Sequence, residues 1–204
     1  MFVKVCGVTR LNDARAAVEA GANAVGFVFW PESPRFVDPY RARAIAAALP
    51  PFVTAVGLFV NQPASYVNGV ASLLRLGAVQ LHGDETPDFA ASIAAPVIKA
   101  MPVERAHTWP NGATLLLDTH DPVKRGGTGR VVDWSAAAAV AATRRVLLAG
   151  GLTPENIADA IARVRPFGID VSSGVECAPG IKDHARIRAL FEAIHGTSDV
   201  TTRP

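Results

Sequence analysis

Two side chains in this sequence stand out as able to move a proton, because each ends a strand-like run. Cys6 closes Val3-Lys4-Val5-Cys6 and stands just before Gly7. A thiol whose pKa is drawn below about 8.5 by a helix N-terminus or a cation acts as a base or nucleophile, whereas one buried among hydrocarbons is an inert small hydrophobe. Asp118 follows Leu115-Leu116-Leu117. Burying an isolated carboxylate is costly, so such a group must be paired, hydrogen-bonded or used in chemistry. Brought to one cleft, a carboxyl and a thiol make a general acid and a general base.

Other residues point to anion binding. Ala149-Gly150-Gly151-Leu152-Thr153 and Asp170-Val171-Ser172-Ser173-Gly174-Val175 each leave a strand-like run through a turn rich in Gly or Ser. Glycine lets backbone N–H groups close on a phosphate, a following helix N-terminus adds partial positive charge, and Ser hydroxyls donate. Gly150, Gly151, Ser173 and Gly174 are the candidate phosphate contacts. Either turn alone is ordinary; two together carry the signal. Arg35 lies in Trp30-Pro31-Glu32-Ser33-Pro34-Arg35-Phe36, a loop restrained by two prolines, and is a candidate clamp for a carboxylate or phosphate. His82, in Gln80-Leu81-His82-Gly83, either lines the same site or is a structural histidine. His82, His120 and Asp118 have no metal-ligand spacing behind them, so no metal site is expected. Gly126-Gly127-Thr128-Gly129 lacks the Gly-Lys-Ser/Thr ending of a P-loop and reads as a flap, while Asp133 reads as the N-cap of a helix starting at Trp134.

The elements that must hold these residues alternate along the whole chain. Short β-branched runs at 3–6, 24–29, 53–60, 78–81, 97–101, 114–118, 145–149 and 168–171 read as strands. Between them, 11–20, 39–49, 64–74, 86–94, a weak 103–109, 135–143, 154–164 and 183–195 read as helices. Several strands are apolar throughout, as parallel strands covered on both faces are. Eight units in 204 residues leave about 25 residues each, the low end for an eightfold βα barrel. Gly7-Val8-Thr9-Arg10-Leu11-Asn12-Asp13-Ala14 also matches Gly151-Leu152-Thr153-Pro154-Glu155-Asn156-Ile157-Ala158, about 144 residues or six units away, as the first and seventh turns of such a barrel would. In both copies the Thr is expected to cap a helix, with Pro154 at the first helical position. A doubly wound open sheet is the alternative, disfavoured because no Gly-x-Gly-x-x-Gly follows the first strand. The expected fold is a single minimal (β/α)8 TIM barrel over 1–195, with an unstructured tail at 196–204. In that fold chemistry gathers where strands end, which is where Cys6, Arg35, His82, Asp118, Gly150, Gly151, Ser173 and Gly174 fall.

Composition removes other classes. Half the residues are hydrophobic, enough for a sizeable core, yet no apolar run nears the ~20 residues of a membrane helix. A net charge of +2 with no basic block gives no case for nucleic acid. Two cysteines do not make a disulfide framework, and no secretory signal is seen, so a cytoplasmic location is expected.

Lys4-Val5-Cys6-Gly7-Val8-Thr9-Arg10, Ser33-Pro34-Arg35, Val79-Gln80-Leu81-His82-Gly83, Leu116-Leu117-Asp118, Gly126-Gly127-Thr128-Gly129 with Asp133-Trp134, Ala149-Gly150-Gly151-Leu152-Thr153-Pro154-Glu155-Asn156 and Asp170-Val171-Ser172-Ser173-Gly174-Val175-Glu176 together resemble the phosphoribosylanthranilate isomerase family of tryptophan biosynthesis, in order and over nearly the whole chain. The resemblance implies an eightfold βα barrel and an Amadori rearrangement that needs neither metal nor organic cofactor. It implies Asp118 as the general acid that protonates the ribose ring oxygen and Cys6 as the base that removes the C2′ proton. Arg35 would meet the anthranilate carboxylate, and the backbone around Gly150, Gly151, Ser173 and Gly174 the phosphate. The implied partner is a small phosphoribosyl substrate, with the chain a monomer or homodimer. Two rival readings are a related isomerase of histidine biosynthesis, which uses Asp where Cys6 stands and a substrate with two phosphates, and a non-catalytic phosphosugar-binding barrel. Barrel closure would also bring the loop bearing Cys177 toward Cys6, where an oxidised pair would remove the base; the plainer reading keeps the two thiols apart.

Overall fold

The computed structural model of the chain describes residues 1–119 and 131–200. Eight strands, β1 (Phe2–Val5), β2 (Ala24–Val28), β3 (Thr54–Phe59), β4 (Ala78–Leu81), β5 (Val97–Met101), β6 (Thr114–Leu117), β7 (Val146–Leu148) and β8 (Gly168–Val171), pair in sequence order. All these pairings are parallel, and β8 returns to β1, closing the barrel. The open-sheet alternative is thereby excluded. Helices α1 (Leu11–Ala20), α2 (Pro39–Ala46), α3 (Ala64–Leu74), α4 (Pro87–Ala91), α5 (Trp134–Ala141), α6 (Ile157–Val164) and α7 (His184–Val200) lie in the connections, with a 3-10 turn, Val103–Thr108, in place of the weak fifth helix.

Period two sorts each strand. In β1, Val3 and Val5 join the large cluster beneath the helices, while Phe2 packs with Ala24, Val56, Ala78 and Ile98 inside the barrel and Cys6 with Val28, Leu58 and Val60 at its rim. β6 behaves alike: Leu115 and Leu117 face the helices and Leu116 faces inward. Position 118 therefore continues the inward row.

Some boundaries differ from the sequence reading. Most predicted strands overrun by one residue because the last residue has already left the ladder; Cys6 and Asp118 are such residues. The predicted N-caps at Thr9 and Thr153 are not the caps. The cap position of α1 is Arg10, and Thr9 Oγ1 instead donates to the Gly180 carbonyl at 2.6 Å. α6 starts at Ile157 rather than 154: Pro154 falls in a preceding turn, and Asn156 ties that turn down, accepting from Thr153 N and donating to the Gly151 carbonyl, both at 2.9 Å. Asp133 does cap α5, accepting from Ser135 N and Ala136 N. The tail predicted from 196 is helical through Val200, as α7 continues past Gly196. Residues 201–204 lie outside the described residues, as do His120 and the Gly126–Gly129 flap.

Candidate functional site

The inward rows converge where the strands end. Cys6 is buried there; its N–H donates to the Val171 carbonyl at 2.8 Å, and its own carbonyl accepts from Ser172 Oγ at 3.1 Å. Gly26 on β2 makes the space. A methyl group at that position would lie 2.8 Å from Cys6 Sγ and 3.1 Å from Lys4 Cε, so any larger residue would push into both.

Beneath Cys6, two residues back on the same face, lies Lys4, fully buried and ion-paired to Asp170 at 2.9 Å. The pair follows from register: Lys4 and Asp170 are direct partners across the β1–β8 ladder, and partners in parallel strands project to the same side. Burial drives the Cys6 thiol above its usual range and Asp170 reinforces the rise, while Lys4 and Lys182 oppose it, so the lowering that a nearby cation or helix end could bring is outweighed. Asp118 feels the same pair from β6. Its carboxyl is pushed up to about 6, first by burial, against the Thr119 backbone N–H at 2.7 Å, and with Asp170 adding to the rise. A carboxyl shifted this far is held ready to give up a proton near neutrality, and both proton-transfer candidates share one buried ion pair.

His82 Nε2 is 3.6 Å from Asp118 Oδ2, and its Nδ1 is 3.0 Å from Gln80 Nε2. His82 thus faces Asp118 with one ring nitrogen and the Gln80 amide with the other. His82 and Asp118 also border a cavity that reaches toward Lys99, Arg105 and Trp109.

Arg35 sits on a loop folded into consecutive turns: Ser33 N donates to the Trp30 carbonyl, Phe36 N to the Ser33 carbonyl and Arg35 N to Ser33 Oγ. Its stem crosses Gly7, where a methyl group would stand 2.6 Å from Arg35 Cδ. Arg35 thus reaches the turn beside Cys6, where its guanidinium pairs with Glu176. Gly7 and Gly151, matching positions of the internal repeat, both hold left-handed φ, +72° and +63°. Gly150, at +78°, also keeps room for the acid, since a methyl group there would lie 3.0 Å from Asp118 Oδ1. Gly174 packs so closely that an added methyl would collide with the Leu152 carbonyl, which joins the turns after β7 and β8 into one cradle.

The eight predicted site residues therefore occupy one end of one barrel. Lys4, Asp170, Glu176 and Lys182 were given no role from sequence, although Lys4 at two residues from Cys6 in a strand carried the signal. Cys6 and Cys177 are both free thiols, the first buried and the second exposed with its Sγ 3.6 Å from the Ile181 carbonyl. Among the described residues no group of three or more His, Cys, Asp or Glu is arranged to hold a metal ion.

A family model described as N-(5'-phosphoribosyl)anthranilate (PRA) isomerase matches residues 3–193. This chain belongs to the PRA isomerase family. A relative of that name from Geobacter sulfurreducens is 49% identical over 199 residues, covering 95% of this chain and 98% of its own. One from Pseudomonas fluorescens is 50% identical over 198 residues, covering 94% and 97%. The solved phosphoribosyl anthranilate isomerase of Thermotoga maritima superposes with a TM-score of 0.90 at 44% identity, over 96% of this chain and 99% of that one. A further solved PRA isomerase, also 44% identical with a TM-score of 0.86 and the same coverage, is in complex with reduced 1-(o-carboxyphenylamino)-1-deoxyribulose 5-phosphate.

Proposed function

We propose that this enzyme converts N-(5'-phosphoribosyl)anthranilate to 1-(2-carboxyphenylamino)-1-deoxyribulose 5-phosphate, with Asp118 as general acid and Cys6 as general base. The observation that carries the assignment is the placement of both groups on inward rows at one barrel end, over the shared Lys4–Asp170 pair.

The substrate fits the site in three parts. Its phosphate lies in the cradle of Gly150, Gly151, Ser173 and Gly174. Its carboxylate meets Arg35. Its ring has an apolar wall available in Val28, Leu58 and Val60 with Trp30, which pack against Cys6. Held at both ends, the ribose is left between acid and base, so that binding energy from groups that do not react serves the step that does. Asp118 gives its proton to the ring oxygen, the ring C1′–O bond breaks, and the amine nitrogen's lone pair forms the Schiff base. The C2′ proton then passes to Cys6, acting through the minor thiolate fraction that its raised pKa leaves, and the electron pair it leaves moves toward nitrogen to give the enolamine, which tautomerises to the ketone. His82, facing Asp118, lines the acid side.

The histidine-pathway alternative expects Asp at the first strand, where this chain has Cys6. A non-catalytic barrel has no use for a carboxyl and a thiol set together on inward rows beside the phosphate cradle. The reading requires a small-molecule partner, and a monomer or homodimer in the cytoplasm is its natural setting; a Thermotoga maritima relative is described as dimeric. No described helix is long and apolar enough to cross a membrane.

The test is to add the protein to freshly made phosphoribosylanthranilate and follow the loss of its fluorescence. Cys6→Ala and Asp118→Ala should each lower kcat by at least ~100-fold with modest change in KM, and Arg35→Ala should mainly raise KM. Turnover within a few-fold of wild type in both catalytic variants would refute the acid and base roles.

A further inference from the structure

We infer that Glu176 is a specificity-determining positioning residue, which aims the Arg35 guanidinium at the carboxylate of the substrate. The inference rests on the reading of Arg35 given above and extends it to the group that holds Arg35 in place.

Two short strands, β9 (Glu176–Ala178) and β10 (Ile181–Lys182), form a hairpin between β8 and α7. Glu176 takes Arg35 by one edge: Oε1 accepts from Nε at 3.0 Å, and Oε2 accepts from Nη2 at 2.7 Å and Nε at 3.2 Å. A guanidinium offers five N–H donors in a rigid plane, so a bidentate grip on one edge fixes the plane and leaves the Nη1 side for a second planar anion. Among the described residues, Glu176 is the hydrogen-bond partner of that guanidinium.

Glu176 is itself immobilised. Its Oε1 also accepts from Lys182 Nζ at 2.8 Å and from Gly180 N at 3.2 Å. Lys182 in turn donates to the Ser172 carbonyl at 3.2 Å, next to the hydroxyl that caps the Cys6 carbonyl. Thr9, just past the Cys6 turn, holds the hairpin from the other side through Gly180. Clamp, hairpin and base are thus one hydrogen-bonded unit, closed by the meeting of the first and last strands.

The charges also fail to balance. Arg35, Glu176 and Lys182 have side chains only 14%, 5% and 0% exposed, and together they carry two positive charges and one negative. With the Cys6 thiol protonated, that excess positive charge suits one more anion, and the substrate carboxylate meets it on the open edge of Arg35. A Glu176 that merely neutralised Arg35 would leave no demand for it.

The test compares two inhibitors, reduced 1-(2-carboxyphenylamino)-1-deoxyribulose 5-phosphate and the same molecule without its carboxyl, on wild type, Arg35→Ala and Glu176→Gln. Wild type should prefer the carboxylated compound. Glu176→Gln should lose about tenfold or more of that preference, the scale of one charge-assisted hydrogen bond, while its affinity for the decarboxylated compound stays within about threefold. Loss of affinity for both compounds alike would make Glu176 a structural residue and overturn the proposal. So would an undiminished preference in Glu176→Gln when Arg35→Ala has lost it. A preference that survives in Arg35→Ala would instead refute the underlying reading of Arg35. If the single variant unfolds because Lys182 is left buried without its counter-charge, Glu176→Gln combined with Lys182→Met removes that charge and is judged by the same ratio.

Discussion

The inside of this barrel changes character from one end to the other along the same strands. At the end where the strands begin, Phe2, Ala24, Val56, Ala78 and Ile98 form an apolar plug. Two residues further on, the rows of Phe2 and Ala78 present Lys4 and Gln80, and four residues on Cys6 and His82, while the inward rows of β6 and β8 bring Asp118 and Asp170 to the same end. Packing at the first end needs shape alone, whereas each polar group at the second needs a partner within hydrogen-bond reach. A two-residue step along a strand is therefore enough to pass from what holds the fold together to what acts on a substrate.

Substitutions at the two ends should separate these effects. The largest loss is expected between them, at Lys4. Lys4→Met leaves Asp170 buried without its partner and should destabilise the chain by about 3–5 kcal/mol in urea unfolding, most of it recovered when Asp170→Leu is added. Leu147 on β7 is buried in the inward cluster with Leu116 against which Phe2 and Ile98 pack, and Leu147→Ala should lose about 2–5 kcal/mol through the cavity it opens, with kcat within about threefold of wild type in the folded protein. An equal fall in kcat would show that the two ends are mechanically coupled.

Asp118→Asn should move activity and stability in opposite directions. Activity should fall at least ~100-fold through loss of the acid. Stability should rise, because ionising a buried carboxyl whose pKa has moved from 3.8 to about 6 costs the folded state on the order of 3 kcal/mol. The folded pKa lies above the unfolded one, so this cost grows as pH climbs from about 4 to about 6 and is complete above that range. Thermal melts of the variant and wild type should therefore differ most above pH 6 and converge below about 4. The smallest effect is a matter of pH alone. With Asp118 protonated and Cys6 ionised as the active form, the kcat/KM profile of the wild type should climb to about 6, stay level, and fall above the raised Cys6 thiol. In Asp118→Asn the break near 6 and the alkaline fall should both vanish, the residual activity climbing until the Cys6 thiol ionises.

Much of this arrangement was legible in the sequence. Strand and helix alternation gave the barrel, and the residues that end the first and sixth strands gave Cys6 and Asp118, because a reactive side chain after an apolar run is visible locally. What escaped were contacts that depend on closure. Lys4 and Asp170 are neighbours only because β8 pairs with β1 in one register. Glu176 and Lys182 reach Arg35 only through a hairpin too short to show a strand pattern. The helix starts differ for a local reason: the Thr9 hydroxyl is taken up by the Gly180 carbonyl, and the Thr153 N–H is held by Asn156 in a turn that precedes the helix.

The tight seat of Gly174 against Leu152 bears on how such a chain can be rebuilt. Recombining barrels by exchanging one βα unit at a time would break at that seam, since a loop from another parent arriving with any side chain at 174 would meet a carbonyl that has nowhere to go. The final two units must be inherited together, and a crossover point placed ahead of β7 respects that boundary.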